Sequence, residues 1–97
     1  MKVLALGHDL AADDDPRFAE LRRAEARAVW DLQQGDVLRE AYFQADRPNA
    51  VLVFEVPDVA AARATLDSLP LVAAGLIDFD IIPLRPYPGF ARLFREG

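Results

Sequence analysis

The alternation of apolar and polar positions divides the chain into strands and helices. Lys2 to Gly7 is short, apolar and compatible with a first strand. "HDLAADDDP" then interrupts the pattern and reads as a loop. Asp15 before Pro16 is an N-cap and first-turn pair. Strong helix formers follow from Pro16 to Gln34, and Gly35 is a natural C-terminal stop. "VLREAYFQA" (37–45) and "AVLVFEV" (50–56) read as the second and third strands, the latter rich in β-branched residues. The turn cluster "DRPN" between them predicts an antiparallel hairpin. Pro57 breaks the third strand, and Asp58 caps a second helix, Val59 to Leu69. Its apolar stripe, Val59, Ala62, Leu66 and Leu69, has helical spacing. Pro70 ends that helix, and Ile77 to Leu84 is a fourth strand.

The order βαββαβ, with right-handed crossovers, predicts a ferredoxin-like α+β fold. It has a four-stranded antiparallel sheet with both helices on one face. The other face is not a wet one. In strand three Val51 and Val53 point opposite to Leu52, Phe54 and Val56. In strand four Phe79 and Ile81 alternate with Asp78 and Asp80, but Ile82 and Leu84 turn the polar side apolar. A second apolar face needs a second layer. A second subunit supplies it if two sheets pair into a dimeric α+β barrel. Residues 1–97 then form one domain, with 85–97 as a C-terminal interface tail. The tail carries Tyr87, Phe90, Leu93 and Phe94, with prolines at 83, 86 and 88. Each such side chain contributes about 1.5–3 kcal/mol if buried, and the expected product is an obligate homodimer.

Composition narrows the function. The 97 residues are 53% hydrophobic with a net charge of −5, which argues against disorder and against a nucleic-acid groove. There is no cysteine and one histidine, so a thiolate or multi-histidine metal site within one chain is excluded. No cofactor is expected. No segment approaches the length of a membrane span, and the N-terminus lacks the features of a signal peptide; a cytoplasmic protein without membrane or nucleic-acid partners is the expectation.

Several segments together resemble a known family. They are "LRRAE" (21–25), "VFEVPDVAAARATLDSLPL" (53–71), and "IDFDIIPL" followed by "RPYP". They look like the muconolactone isomerase-like members of the dimeric α+β barrel superfamily and, more loosely, the YciI-like proteins. The resemblance spans roughly residues 15 to 88. The chain departs from the family pattern at a shorter first loop, around Gly35, and at Tyr87, where the isomerase tail carries a histidine. The resemblance implies a small-molecule isomerase and aligns Glu25 with an acid of the isomerase helix.

Glu25 also stands out unaided. Phe18, Leu21, Val29 and Leu32 share one face of helix one, and Glu25 lies in the middle of it. An acid there is either paired with Arg22 or a sheet arginine, exposed at a helix edge, or turned toward a pocket. In a pocket, burial raises its pKa and suits it to proton transfer near neutral pH. His8 follows strand one and is the one side chain whose ordinary pKa allows a proton shuttle near pH 7; it is otherwise a loop residue capping the strand. Tyr42 and Arg39, on opposite faces of strand two, are candidates to hold an enolate oxygen or else decorate the rim. Trp30 sits on a flank of helix one, as interface packing or as a wall for a ligand. The resulting expectation is a cofactor-free isomerase or cyclase acting on a lactone, enone or polyketide-like carbonyl compound. Glu25, with His8, handles the proton. A cofactor-free oxygenase and a non-catalytic ligand-binding or assembly module are the alternatives.

Overall fold

The computed structural model describes residues 1–95. The strands are β1 (Lys2–Asp9), β2 (Leu38–Gln44), β3 (Arg47–Glu55) and β4 (Ile77–Pro83). The helices are α1 (Pro16–Gln34), α2 (Val59–Asp67) and the single turn α3 (Pro70–Ala73), and a 3-10 turn covers Pro88–Phe94. The sheet order is β2-β3-β1-β4 with every pair antiparallel. This is the split βαβ arrangement expected from the pattern of elements.

Register decides what each face carries. Val3 opposes Phe54, Ala5 opposes Leu52 and Ile81, and Gly7 opposes Phe79. These positions face the helices, and Val3, Ala5, Leu52, Phe54, Val56 and Phe79 are buried. Ala62, Leu66 and Leu69 close the core from above and are fully buried. Helix α1 is only half-sunk: Phe18, Leu21, Glu25, Val29 and Leu32 are all intermediate in exposure. The opposite face carries Leu4, Leu6, Val51, Val53 and Ile82, and among the described residues no second layer lies over them.

The caps follow the sequence. Asp15 Oδ1 accepts from the Arg17 N–H at 3.0 Å, and Asp58 Oδ1 accepts from the Ala61 N–H at 2.8 Å. Several boundaries differ from the pattern-based reading. Strand β1 runs on to Asp9, so His8 lies in a strand rather than a loop. The hairpin turn is Ala45–Asp46, and Arg47 and Pro48 already belong to β3. The second helix stops at Asp67 rather than Leu69, and Pro70 opens α3 instead of merely ending α2. Proline cannot continue a helix, yet at a first turn its missing N–H is no loss. Finally, Gly35 caps α1 at φ −85°, and the left-handed position is taken by Asp36 at φ 63°. Aspartate is among the few non-glycine residues that visit that region.

Arg63 ties α2 to the edge strand. Its Nη2 lies 2.8 Å from Asp78 Oδ1 and 2.9 Å from Asp67 Oδ1, and its Nη1 donates to the Phe79 carbonyl. Backbone and guanidinium hydrogen bonds together hold the Asp78 carboxyl below its ordinary range.

The C-terminal segment leaves the body. The principal extents are 61 × 28 × 20 Å, with a radius of gyration of 16.2 Å. A compact domain of this size has a radius near 13 Å. An eight-residue strand spans about 26 Å and a 19-residue helix about 28 Å. The long axis therefore includes the segment after β4. Its side chains are uncovered, with Leu93 76% and Phe94 84% exposed. Tyr87 and Phe90 pack edge to face on one another, with ring centroids 4.9 Å apart. The expected interface role of 85–97 extends over Glu96 and Gly97, which lie outside the described residues.

Candidate functional site

On the helix-facing side of the sheet, the end carrying Gly7, Ala41 and Ala50 has side chains too small to reach the helices. Gly7 is buried there, and a Cβ on it would stand 3.1 Å from the Phe79 ring and 3.2 Å from the Ala50 carbonyl. A cavity of about 850 Å³ occupies this end. Its walls are mostly apolar, with Phe18, Val29 and Trp30 from α1, Phe43 from β2, and Leu71 from α3. Trp30 and Phe43 remain 57% and 69% exposed, so the cavity is open to solvent beside them.

Glu25 is on the cavity wall. Among the described residues no arginine or lysine lies within ion-pair distance of it; instead its Oε1 accepts a hydrogen bond from the Leu71 backbone N–H at 3.0 Å. Burial pushes the Glu25 carboxyl above the ordinary range, and the Leu71 N–H pulls partly the other way. Arg22, one turn earlier on α1, also lines the cavity and has no carboxylate partner within 4.0 Å among the described residues. The pattern had offered Arg22 only as a possible ion-pair partner for Glu25. Their three-residue spacing, which puts both on one helix surface, was the available signal that they share a pocket.

The remaining candidates disperse. His8 and Tyr42 border the cavity from strand positions that alternate to the open face of the sheet. His8 Nδ1 lies 4.0 Å from Asp80 Oδ2 on that face. The Tyr42 hydroxyl donates to Glu40 Oε1 at 2.9 Å, and that hydrogen bond raises its pKa. Arg39 falls at the irregularity between Leu38 and Glu40, is exposed, and turns its Nε to the Asp36 carbonyl at 2.8 Å, outside the cavity lining. Trp30 is part of the wall. Two acids not singled out from sequence, Asp9 and Asp13, stand at the cavity mouth. Burial and a shared hydrogen bond with Asp13 raise the Asp9 pKa. Strand β1 reaches Asp9 and turns it to the helix side with Gly7, which ending the strand at Gly7 had hidden.

No protein-family model matches the sequence, and no curated protein matches it. Solved structures do. A crystal structure of muconolactone isomerase is similar at 29% identity and a TM-score of 0.76, covering 91% of this chain and 92% of that one. The 5-chloro-2-hydroxyhydroquinone dehydrochlorinase of Burkholderia phenoliruptrix, solved in complex with 2,5-dihydroxybenzoquinone, shares the fold. Its TM-score is 0.64 at 15% identity, over 88% of this chain and 94% of that one. Both are enzymes of small molecules. The chain thus has the α+β fold of muconolactone isomerase, and its likeness to that enzyme supports the muconolactone isomerase-like resemblance read from the sequence.

Proposed function

We propose that the protein is an isomerase or cyclase that moves a proton on a small hydrophobic carbonyl compound, with Glu25 as the base. One observation carries this reading: a half-buried carboxylate with a raised pKa and no cationic partner on the wall of an apolar cavity. Keeping a carboxylate there without a countercharge is costly, and such groups concentrate at functional sites. The likeness to an isomerase and a dehydrochlorinase supports the class of chemistry.

The chemistry follows from the groups present. A lactone or enone enters the apolar cavity with its carbonyl toward Arg22. Glu25 takes the proton from the carbon next to the carbonyl. The C–H electron pair moves into the ring, and the carbonyl oxygen becomes enolate-like. The Arg22 guanidinium stabilises that charge as it forms. Glu25 then returns the proton at another carbon, and the double bond has moved. General-base catalysis of this kind contributes roughly 10²–10⁴-fold. In this reading Asp9, on the helix side of β1, exchanges that proton with solvent, while His8 faces the other side of the sheet; Trp30 and Phe43 supply apolar walls.

The working form in this reading is a homodimer. The uncovered face with Leu4, Leu6, Val51, Val53 and Ile82, the exposed wall residues and the projecting segment 85–95 each leave apolar surface that a second copy would cover.

Incubation of the protein with a panel of small butenolides and cyclic enones in D2O tests the assignment. Deuterium is expected to enter at the carbon beside the carbonyl with wild-type protein and not with Glu25→Gln. Equal uptake by both removes Glu25 as the base. No uptake across the panel, together with ligand binding in the cavity, favours the non-catalytic module.

A further inference from the structure

The hydrogen bond between Glu25 and Leu71 has a consequence for which atom reacts. We infer that the Leu71 backbone N–H is a positioning group for the carboxylate: it holds Oε1, and so commits Oε2 as the oxygen that takes and returns the proton. This rests on the reading of Glu25 as the base.

The sequence explains why Leu71 is the donor. The N-cap residue of α3 is Leu69, which has no side-chain oxygen to cap the turn and makes no side-chain cap bond. Pro70 follows and has no N–H, so the first free donor of the turn is Leu71. Leu69 is fully buried in the core and fixes where the turn begins. Closing bonds from the Ala73 N–H to the Leu69 carbonyl at 2.8 Å, and from the Leu76 N–H to the Leu71 carbonyl at 3.0 Å, fix where it ends. The turn therefore presents one fixed N–H, and Glu25, 46 residues earlier on α1, supplies the capping oxygen that Leu69 lacks.

The second oxygen is free in consequence. Among the described residues no buried side-chain oxygen or nitrogen lacks a partner. Glu25 Oε2 makes no hydrogen bond, so it is accessible, and the accessible space beside this half-buried side chain is the cavity. A carboxylate free to rotate would offer either oxygen at a cost in orientation. Held through Oε1, it offers one, at a fixed angle to whatever fills the cavity. The transfer is balanced: a C–H bond breaks, an O–H bond forms at Oε2, the electron pair stays on the substrate as enolate, and both return in reprotonation. The other charged or titratable side chains lining the cavity are Arg22, His8, Asp9, Asp13 and Tyr42, and none is within ion-pair distance of Glu25.

The test reads the bond first in the wild-type protein. The Leu71 amide proton is expected to move downfield as pH rises, with the same midpoint as the Glu25 side-chain carboxyl carbon, and to lose that dependence in Glu25→Gln. An amide that ignores the Glu25 titration, or that keeps its response in Glu25→Gln by following Asp9 or Asp13, overturns the inference. Two variants then separate positioning from packing. Leu71→Pro removes the donor, and Leu71→Ala removes the same side chain but keeps the N–H. The Glu25 midpoint is expected to lie higher in Leu71→Pro than in Leu71→Ala. The acid limb of the deuterium-uptake profile should move with it, at about tenfold lower rate below the limb for each unit of displacement. Equal midpoints in the two folded variants overturn the inference. If Leu71→Pro does not fold, the wild-type amide titration alone decides. If the amide tracks Glu25 while Glu25→Gln retains full uptake, the bond is a structural cap, positioning has no catalytic meaning, and Glu25 is not the base.

Discussion

Two ends of the same sheet face are built differently. At one end Val3, Leu38 and Phe54 stand under Leu66 and Leu69, and all are fully or almost fully buried. At the other, Gly7 and Ala50 stand on neighbouring strands, and the space above them is a cavity of about 850 Å³. Small side chains on the sheet make one end a cavity where large ones make the other a core. A sheet of this kind can thus concentrate its stability at the filled end and leave the emptied end for binding, where Glu25 hangs from a helix that is nowhere fully buried.

The largest effects should appear when the division of labour is broken at the filled end. Phe54→Ala is expected to cost about 3–5 kcal/mol, much of a total stability near 5–15 kcal/mol, measured by urea denaturation. A loss under about 1 kcal/mol would show that the filled end does not carry the fold.

At the emptied end the expected effect of Glu25→Gln is on turnover, by roughly 10²–10⁴-fold, with the fold kept. Glutamine retains an oxygen for the Leu71 N–H. The linkage has a definite sign. The folded-state pKa of Glu25 is raised, so the native protein binds the proton more tightly than the unfolded chain does. The stability tied to this group is complete below the unfolded pKa and is lost as pH rises through the folded one. Glutamine has no such loss, so the variant should match or exceed the wild-type melting temperature at neutral pH. A clear fall there would make Glu25 a structural partner first.

The 85–97 segment is the third lever. Truncation after Leu84 is expected to shift sedimentation from dimer to monomer and to lower the melting temperature with it. A truncated chain that stays a stable dimer would remove the segment from the interface, and a stable monomeric full-length chain would remove the dimer as well. The smallest expected effect lies outside the contrast and serves as a control. Asp36 holds a left-handed conformation beside a glycine that does not use it. Asp36→Gly should stabilise by up to about 1 kcal/mol and leave the cavity chemistry unchanged.

These contrasts also explain what could be read from the sequence. The helices and strands were legible because their cues are local: Asp15–Pro16 and Asp58 at helix starts, and the β-branched run of β3. The doubly apolar sheet was legible from alternation in β3 and β4. Glu25 was legible because a single acid interrupts an apolar stripe. The cavity was not, because it depends on Gly7 and Ala50 meeting across a strand pair, and register is a property of the fold. The partner of Glu25 was missed for a related reason. A backbone N–H carries no sequence signature, and Pro70 reads as a stop until the turn that it opens is seen. Tyr42 shares a face with Glu40 as simple alternation in β2 had it, whereas Arg39 falls at the irregularity between Leu38 and Glu40, which disturbs that alternation.

The most direct measurement is the titration of the Glu25 side-chain carboxyl by carbon-detected NMR in the intact protein. A midpoint above the ordinary glutamate value, in a chain that stays folded throughout, is expected from a carboxylate desolvated on the cavity wall without a cationic partner. A midpoint at or below that value would mean a solvated or ion-paired acid, and would contradict its assignment as the base.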